Sequence, residues 1–151
     1  MSISAPDLTQ RPPRSTRAKL GGYVILPRTL DKGRATIAGK NGEFHYDCPN
    51  AQLILKFLGI SAPALLKELK KGKGDGEILA WIKKNQKNKH QPWEIDVWSS
   101  YHEKRGPDSD QETVTFFTDR LVKLGGAKRE DIKTWFDLLD LDDHVTFGGK
   151  P

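Results

Sequence analysis

Residues 21–49 read GGYVILPRTLDKGRATIAGKNGEFHYDCP, and whether this stretch is helical or extended decides the fold class. The spacing predicts a helix over Pro27–Ala38. Proline fits a first helical position, where its missing N–H has no partner to lose. Leu30 and Ile37 lie seven apart and share a face, with Ala38 beside Ile37. Arg28, Asp31, Lys32 and Arg34 fill much of the remainder. Arg28 with Asp31, and Asp31 with Arg34, stand three apart, a spacing at which helix charges pair. Gly39, Asn41 and Gly42 then end the helix at positions suited to positive φ.

From Glu43 to Cys48 the residue types alternate. If extended, Phe44, Tyr46 and Cys48 point one way and Glu43, His45 and Asp47 the other. Pro49 biases Cys48 toward extended geometry. An imidazole between two carboxylates is the raw material of a general base, of a metal ligand set or of an outward polar edge. The preceding helix brings cations close by. The bland alternative is a solvated helix face, where an exposed ion pair contributes only ~0.3–0.5 kcal/mol.

On the N-terminal side, Met1–Arg14 carries three prolines and reads as an extended arm. Ser15 or Thr16 caps a first helical turn reaching Leu20, Tyr23 and Val24, or one kinked helix runs from Thr16 to Ala38, bent at Pro27. On the C-terminal side the helices come in quick succession. Asn50 caps one bearing Leu53, Ile54, Phe57 and Leu58, which Gly59 stops. Ser61 caps the next, with Leu65, Leu66 and Leu69. After the turn Gly72–Gly76, Asp75 caps Glu77–Asn85, with Ile78, Leu79 and Ile82 on its stripe and Trp81 alongside. The basic segment Lys83–Gln91 is a long loop. Pro92 opens a helix with Trp93, Val97, Trp98 and Tyr101 on its face. Ser109–Glu112 forms a capping box ahead of Val114, Phe117, Leu121 and Leu124. A last helix, roughly Lys128–Leu139, presents Ile132, Trp135, Phe136 and Leu139. No pair of β-branched runs implies a sheet. The expectation is an all-α, bundle-like fold of about seven mostly short helices, with arm 1–14, a single helical domain 15–143 and an acidic, glycine-rich tail 144–151. Its core is predicted to include Leu30, Phe57, Leu65, Leu79, Ile82, Trp98, Phe117, Leu121, Trp135 and Phe136.

Composition narrows the class. With 36% hydrophobic residues, four tryptophans and six phenylalanines, 151 residues suffice for one core. A single cysteine excludes an internal disulfide. The N-terminus lacks the apolar run of a signal peptide and no stretch is apolar enough to span a membrane, so the expected setting is cytoplasmic. Residues 1–89 hold 17 Lys and Arg against 7 Asp and Glu, a net +10, while residues 90–151 hold 8 against 13, a net −5. That asymmetry suggests two faces, or self-association of opposite patches.

The segments LGGYVILPRTLDKGRA, AGKNGEFHYDCP, FLGI and GDGEILAWI together resemble a bacterial group of small proteins, the domain of unknown function 5069 family. The resemblance runs from about Asp7 to beyond Tyr101. It implies a small standalone bacterial domain without an assigned activity, and it supplies no catalytic residues to carry over.

The motifs that could carry chemistry are thin. Gly72–Gly76 lacks the phosphate-loop pattern and reads as a turn, although backbone N–H groups ahead of Glu77 could hold an anion. Asp137, Asp140, Asp142, Asp143 and His144 do not match a calcium loop and read as a solvated helix end. His45 and Cys48 have zinc spacing but no second pair, so no metal and no cofactor is expected. Cys48 reads as a small packed hydrophobe; as a nucleophile it would need His45, His90 or His102 beside it. Lys83–His90, flanked by Trp81 and Trp93, could meet phosphates and bases.

Three functions follow, in order. The first is an interaction or regulatory protein without chemistry, with a protein partner or a second copy of the chain. The second is a binder of a small anion, or an enzyme, with ligand-binding candidates Arg28, Asp31, Arg34, Glu43, His45 and Tyr46. The third is a nucleic-acid binder through the basic half. A membrane partner is not expected.

Overall fold

The computed structural model describes residues 3–151. Among these the order is β1 (Lys19–Leu20), β2 (Tyr23–Val24), α1 (Leu26–Ile37), α2 (Pro49–Leu58), α3 (Ala62–Leu69), α4 (Asp75–Asn85), α5 (Pro92–Lys104), α6 (Gln111–Lys123) and α7 (Trp135–Thr146). The fold is mostly α, seven helices with one small hairpin among the described residues. No helix among them is long and apolar enough to cross a membrane.

The hairpin corrects the expected helical turn after Thr16. Lys19 pairs with Val24 and Leu20 with Tyr23, antiparallel. Gly21 and Gly22 have φ of 61° and 85°. Two successive positive φ values are what a two-residue hairpin turn of the primed type demands, and a glycine pair meets them without strain. In a helix the same pair only weakens.

The chain falls into two compact units, one through Ser99 and the other Ser100–Pro151. In the first, α1 is the centre and packs against β1, α2 and α3. Its residues from Leu26 to Gly33, and Ala35, are all buried. A helix buried on every side is usually apolar throughout; here Arg28, Asp31 and Lys32 are inside it, only 5%, 9% and 6% exposed. Buried charges must find partners or neutralise, and where these find them defines the candidate site. Around α1 the core is Leu8, Tyr23, Val24, Ile25, Leu30, Ile54, Leu55, Leu58, Leu65, Leu69, Ile78 and Ile82. Ser99 ties the middle of α5 to the hairpin, accepting from the Val24 N–H at 3.2 Å and donating to the Gly22 carbonyl at 2.6 Å. Phe57 is stacked between His90 and Trp98, at centroid separations of 3.7 and 4.7 Å, which pins the basic loop to α2 and α5.

In the second unit Phe117, Leu124, Leu138 and Leu141 form a core, flanked by Leu121, Ile132, Trp135 and Val145. The last helix begins at Trp135 rather than Lys128 and runs to Thr146. Thr134 and Asp137 make a reciprocal capping box at its start. The acidic cluster therefore lies within the helix: Asp137 sits at its favourable N-terminal end, and Asp142 pairs with Arg120 at 2.7 Å.

Other boundaries shift by a residue or two. Cys48 caps α2 in place of Asn50, Gly74 takes the cap position expected of Asp75, and Asp110 rather than Ser109 caps α6, while Ser61 caps α3 as expected. Of the ten predicted core residues, Leu30, Leu65, Ile82, Phe117 and Phe136 are buried and Phe57, Leu79, Trp98, Leu121 and Trp135 half-buried. Helix α5 is turned from its expected orientation. Trp93, Val97 and Tyr101, expected on the core face, are exposed, and the buried positions are Ser99 and His102.

Candidate functional site

The site grows from the charges on α1. Asp31 and Arg34, one turn apart, lie toward the N-terminal arm, which is held down by Leu8, 1% exposed, with its N–H on the Lys40 carbonyl at 2.8 Å. That anchoring brings Arg14 onto Asp31. The Arg14 backbone N–H and Nε both donate to Asp31 Oδ2, at 2.9 and 3.1 Å, and Nη2 donates to Oδ1 at 3.0 Å. The same guanidinium then reaches the start of α4, where Nη1 donates to Asp75 Oδ2 at 2.8 Å. Arg34 completes the set, donating to Asp75 Oδ1 at 2.7 Å and to the Lys73 carbonyl at 3.1 Å.

Between the arm, α1 and the α3–α4 turn lies a cleft of about 610 Å³. Its charged lining is Arg11, Arg14, Arg34 and Lys73 against Asp31 and Asp75, four cations to two carboxylates. Lys73 also pairs with Glu68 at 2.7 Å. Arg14 and Arg34 do not wave in solvent: Arg14 is held by the Asp31 and Asp75 carboxylates, and Arg34 by Asp75 and the Lys73 carbonyl, and these hydrogen bonds set the plane of each guanidinium. The Arg14 side chain is 40% exposed and Asp75 32%, so solutes reach the network, while Arg34 and Asp31 at 12% each form its floor. The hydrogen bond from Arg14 holds the Asp75 carboxyl below the usual carboxylate range; burial works the other way, and Arg34 adds to the lowering. Burial disfavours the Arg14 charge, but the bonds to Asp75 and Asp31 outweigh it and raise its pKa. Both groups are therefore charged at neutral pH.

Of the six residues singled out on the sequence, Asp31 and Arg34 line this cleft. Arg28 lies behind it, its Nη1 donating to the Arg14 carbonyl at 3.3 Å and its guanidinium 5.6 Å from the Phe44 ring centroid. Tyr46 is buried elsewhere, its hydroxyl donating to the Ala62 carbonyl at 2.7 Å, and burial raises its pKa. Glu43 and His45 are exposed and do not line the cleft. The alternation expected from Glu43 to Cys48 does govern burial: Phe44, Tyr46 and Cys48 turn inward and Glu43, His45 and Asp47 outward, although no strand forms there. Arg11, Arg14, Lys73 and Asp75 were not among the six. The glycine turn before α4 was the signal near Lys73 and Asp75, and nothing local pointed to Arg11 and Arg14.

A second polar group lies beside α1. Lys32 Nζ is 2.9 Å from Cys48 Sγ, so the neighbour of the thiol is a lysine and none of the three histidines considered for that place.

In the basic loop, Lys89 folds back onto the Lys83 carbonyl at 2.6 Å and His90 bonds the Phe57 carbonyl at 2.8 Å. Trp81 is half-buried, and only Trp93 of the flanking pair stands open.

One family model, Domain of unknown function (DUF5069), matches residues 10–145. Comparison with curated proteins gives no match.

Proposed function

For a chain that belongs to the DUF5069 family, we propose that the first unit binds a small dianion, a phosphate or a paired carboxylate, in the Arg14–Arg34 cleft. The observation that supports this is the excess of cations over carboxylates around a solute-sized space, with two guanidinium forks already oriented. A guanidinium presents paired N–H donors that match carboxylate and phosphate oxygens, and orientation before binding removes part of the ordering cost. Arg34 supplies the floor contact, Arg11 and Arg14 the mouth, and Asp75 competes with the ligand for both forks.

Thermal melting tests it. Inorganic phosphate, and malonate as a dicarboxylate, should raise the Tm in a saturable way at constant ionic strength. Chloride should not, and Arg34→Gln should abolish the response. Equal stabilisation of wild type and Arg34→Gln would overturn the proposal.

An interaction protein without chemistry, placed first on sequence grounds, keeps one supporting observation. Trp93 and Val97, four apart on α5, are 67% and 59% exposed. Together with the opposite net charges of residues 1–89 and 90–151, they favour a second copy of the chain as the partner. Light scattering tests this: the reading expects a concentration-dependent dimer that Trp93→Ser reduces to monomer, and a monomer at all concentrations removes it.

A further inference from the structure

Among the described residues no carboxylate pairs with the buried side chain of Lys32. Its side chain comes from the middle of α1, the residue is 6% exposed, and the one hydrogen-bond partner of its Nζ among the described residues is Cys48 Sγ at 2.9 Å. A cation taken out of water needs a compensating charge or it gives up its proton. The group in position to supply that charge is the sulfur. Cys48 also holds the N-cap of the ten-residue helix α2, where its sulfur accepts from the Ala51 N–H at 3.5 Å. Helix N-termini favour an anion at that place. Two independent features, a nine-tenths-buried lysine aimed at the sulfur and a capped helix start, thus stabilise the same charge.

We propose that Cys48 is a thiolate modification site, activated by Lys32, that reacts with small electrophiles and with peroxides. The residue is half-buried rather than fully enclosed. Burial pushes the thiol pKa up, but the hydrogen bond and charge of Lys32, with the Ala51 and Asn50 amides, outweigh it and the net direction is down. Among charged groups near the sulfur, α1 contributes Lys32; on the cysteine's own segment His45 is exposed and Asp47 accepts a hydrogen bond from Gln52 at 2.5 Å.

The peroxide step balances without a cofactor. The Cys48 sulfur attacks one oxygen of hydrogen peroxide, an S–O bond forms and the O–O bond breaks. Sulfur is oxidised by two electrons to a sulfenic acid, and the departing hydroxide takes a proton from solvent to become water. The chain has no second cysteine to convert the product to an intrachain disulfide. Lys32 Nζ, 2.9 Å from the reduced sulfur, is instead placed to donate a hydrogen bond to the sulfenic acid oxygen. A small external thiol then condenses with the sulfenic acid, losing water, to give a mixed disulfide.

The test follows alkylation of the intact protein by iodoacetamide as a function of pH, read by mass. An unperturbed cysteine has a midpoint near 8.5; the wild type should lie below it, and Lys32→Met should lie above the wild type and react roughly tenfold or more slowly at pH 7. Lys32→Arg, which keeps the charge, should recover most of the rate. After hydrogen peroxide, dimedone should add once to the wild type and not to Cys48→Ser. Circular dichroism checks that the lysine variants fold; if they do not, the wild-type profile and the dimedone adduct decide. A wild-type midpoint at or above 8.5, equal rates in a folded Lys32→Met, or no dimedone adduct would each overturn the proposal.

Discussion

Asp75→Asn is the substitution that separates stability from binding in the cleft. The carboxylate receives Arg14 at 2.8 Å and Arg34 at 2.7 Å. Asparagine keeps the shape and one acceptor oxygen but removes the charge. The Arg14 pair is part-exposed at both ends, a setting in which ion pairs contribute ~0.2–1 kcal/mol. The Arg34 side chain is 12% exposed and loses its carboxylate, which puts that pair at the upper end of the same range, short of the ~1.5–3 kcal/mol of a fully desolvated charged hydrogen bond. Asp75 also begins α4, where losing an acid costs a further ~0.3–0.5 kcal/mol. The sum is ~1.5–2.5 kcal/mol, or a Tm lower by about 3–10 °C for a chain of this size. Phosphate affinity should move the other way and rise several-fold, because both guanidinium forks lose their competitor and the cleft gains a net positive charge. Urea unfolding followed by circular dichroism gives the first quantity, and the phosphate dependence of the same midpoint gives the second. An unchanged midpoint would show that these pairs contribute nothing. A lower midpoint with unchanged phosphate affinity would leave the network as a staple and refute the binding argument.

Other substitutions probe the packing that places the cleft. Tyr46→Phe deletes a buried hydroxyl bonded to the Ala62 carbonyl and should cost ~0.5–1.5 kcal/mol by urea denaturation, with no change in phosphate response. Gly33→Val should cost ~1–3 kcal/mol, because a Cβ there would lie 2.6 Å from Leu69 Cδ1 and 3.1 Å from the Tyr46 ring. Acidification should be destabilising with a defined sign. The folded-state pKa of Asp75 is depressed, so its contribution is complete above the unfolded value near ~4 and is lost as the pH falls through the folded value. The Asp75→Asn variant should therefore lose less stability than the wild type between pH 5 and pH 2, measured by the urea midpoint at each pH.

The helices were legible where local signals agree. Ser61 capping α3, Gly59 ending α2 in the left-handed region, and Pro92 opening α5 each state their role within a few residues. The hairpin was missed because Leu20, Tyr23 and Val24 satisfy a helical spacing as well as a two-strand register, and only the φ values of Gly21 and Gly22 distinguish them. The start of α7 was misplaced because Ile132 lies in irregular chain that packs on the core without helical structure, while the acids after Trp135 continue the helix.

The site was half legible. Asp31 and Arg34 stand three apart and declare a polar helix face. Their partners come from 17 and 41 residues away, Arg14 on the arm and Asp75 at α4, a pairing set by the tertiary fold and invisible to local spacing. Lys32 illustrates the same limit from the other side. A lysine between an aspartate and a glycine on a charged helix reads as solvated, and only the burial of α1 on all faces turns it toward Cys48.

Isothermal titration of inorganic phosphate into wild type and Arg34→Gln at low ionic strength tests the central claim most directly. Binding at the cleft predicts a saturable one-to-one heat for the wild type, weaker as salt rises, and no saturable heat for Arg34→Gln. The same isotherm for both proteins, or none for the wild type with either phosphate or malonate, would contradict it.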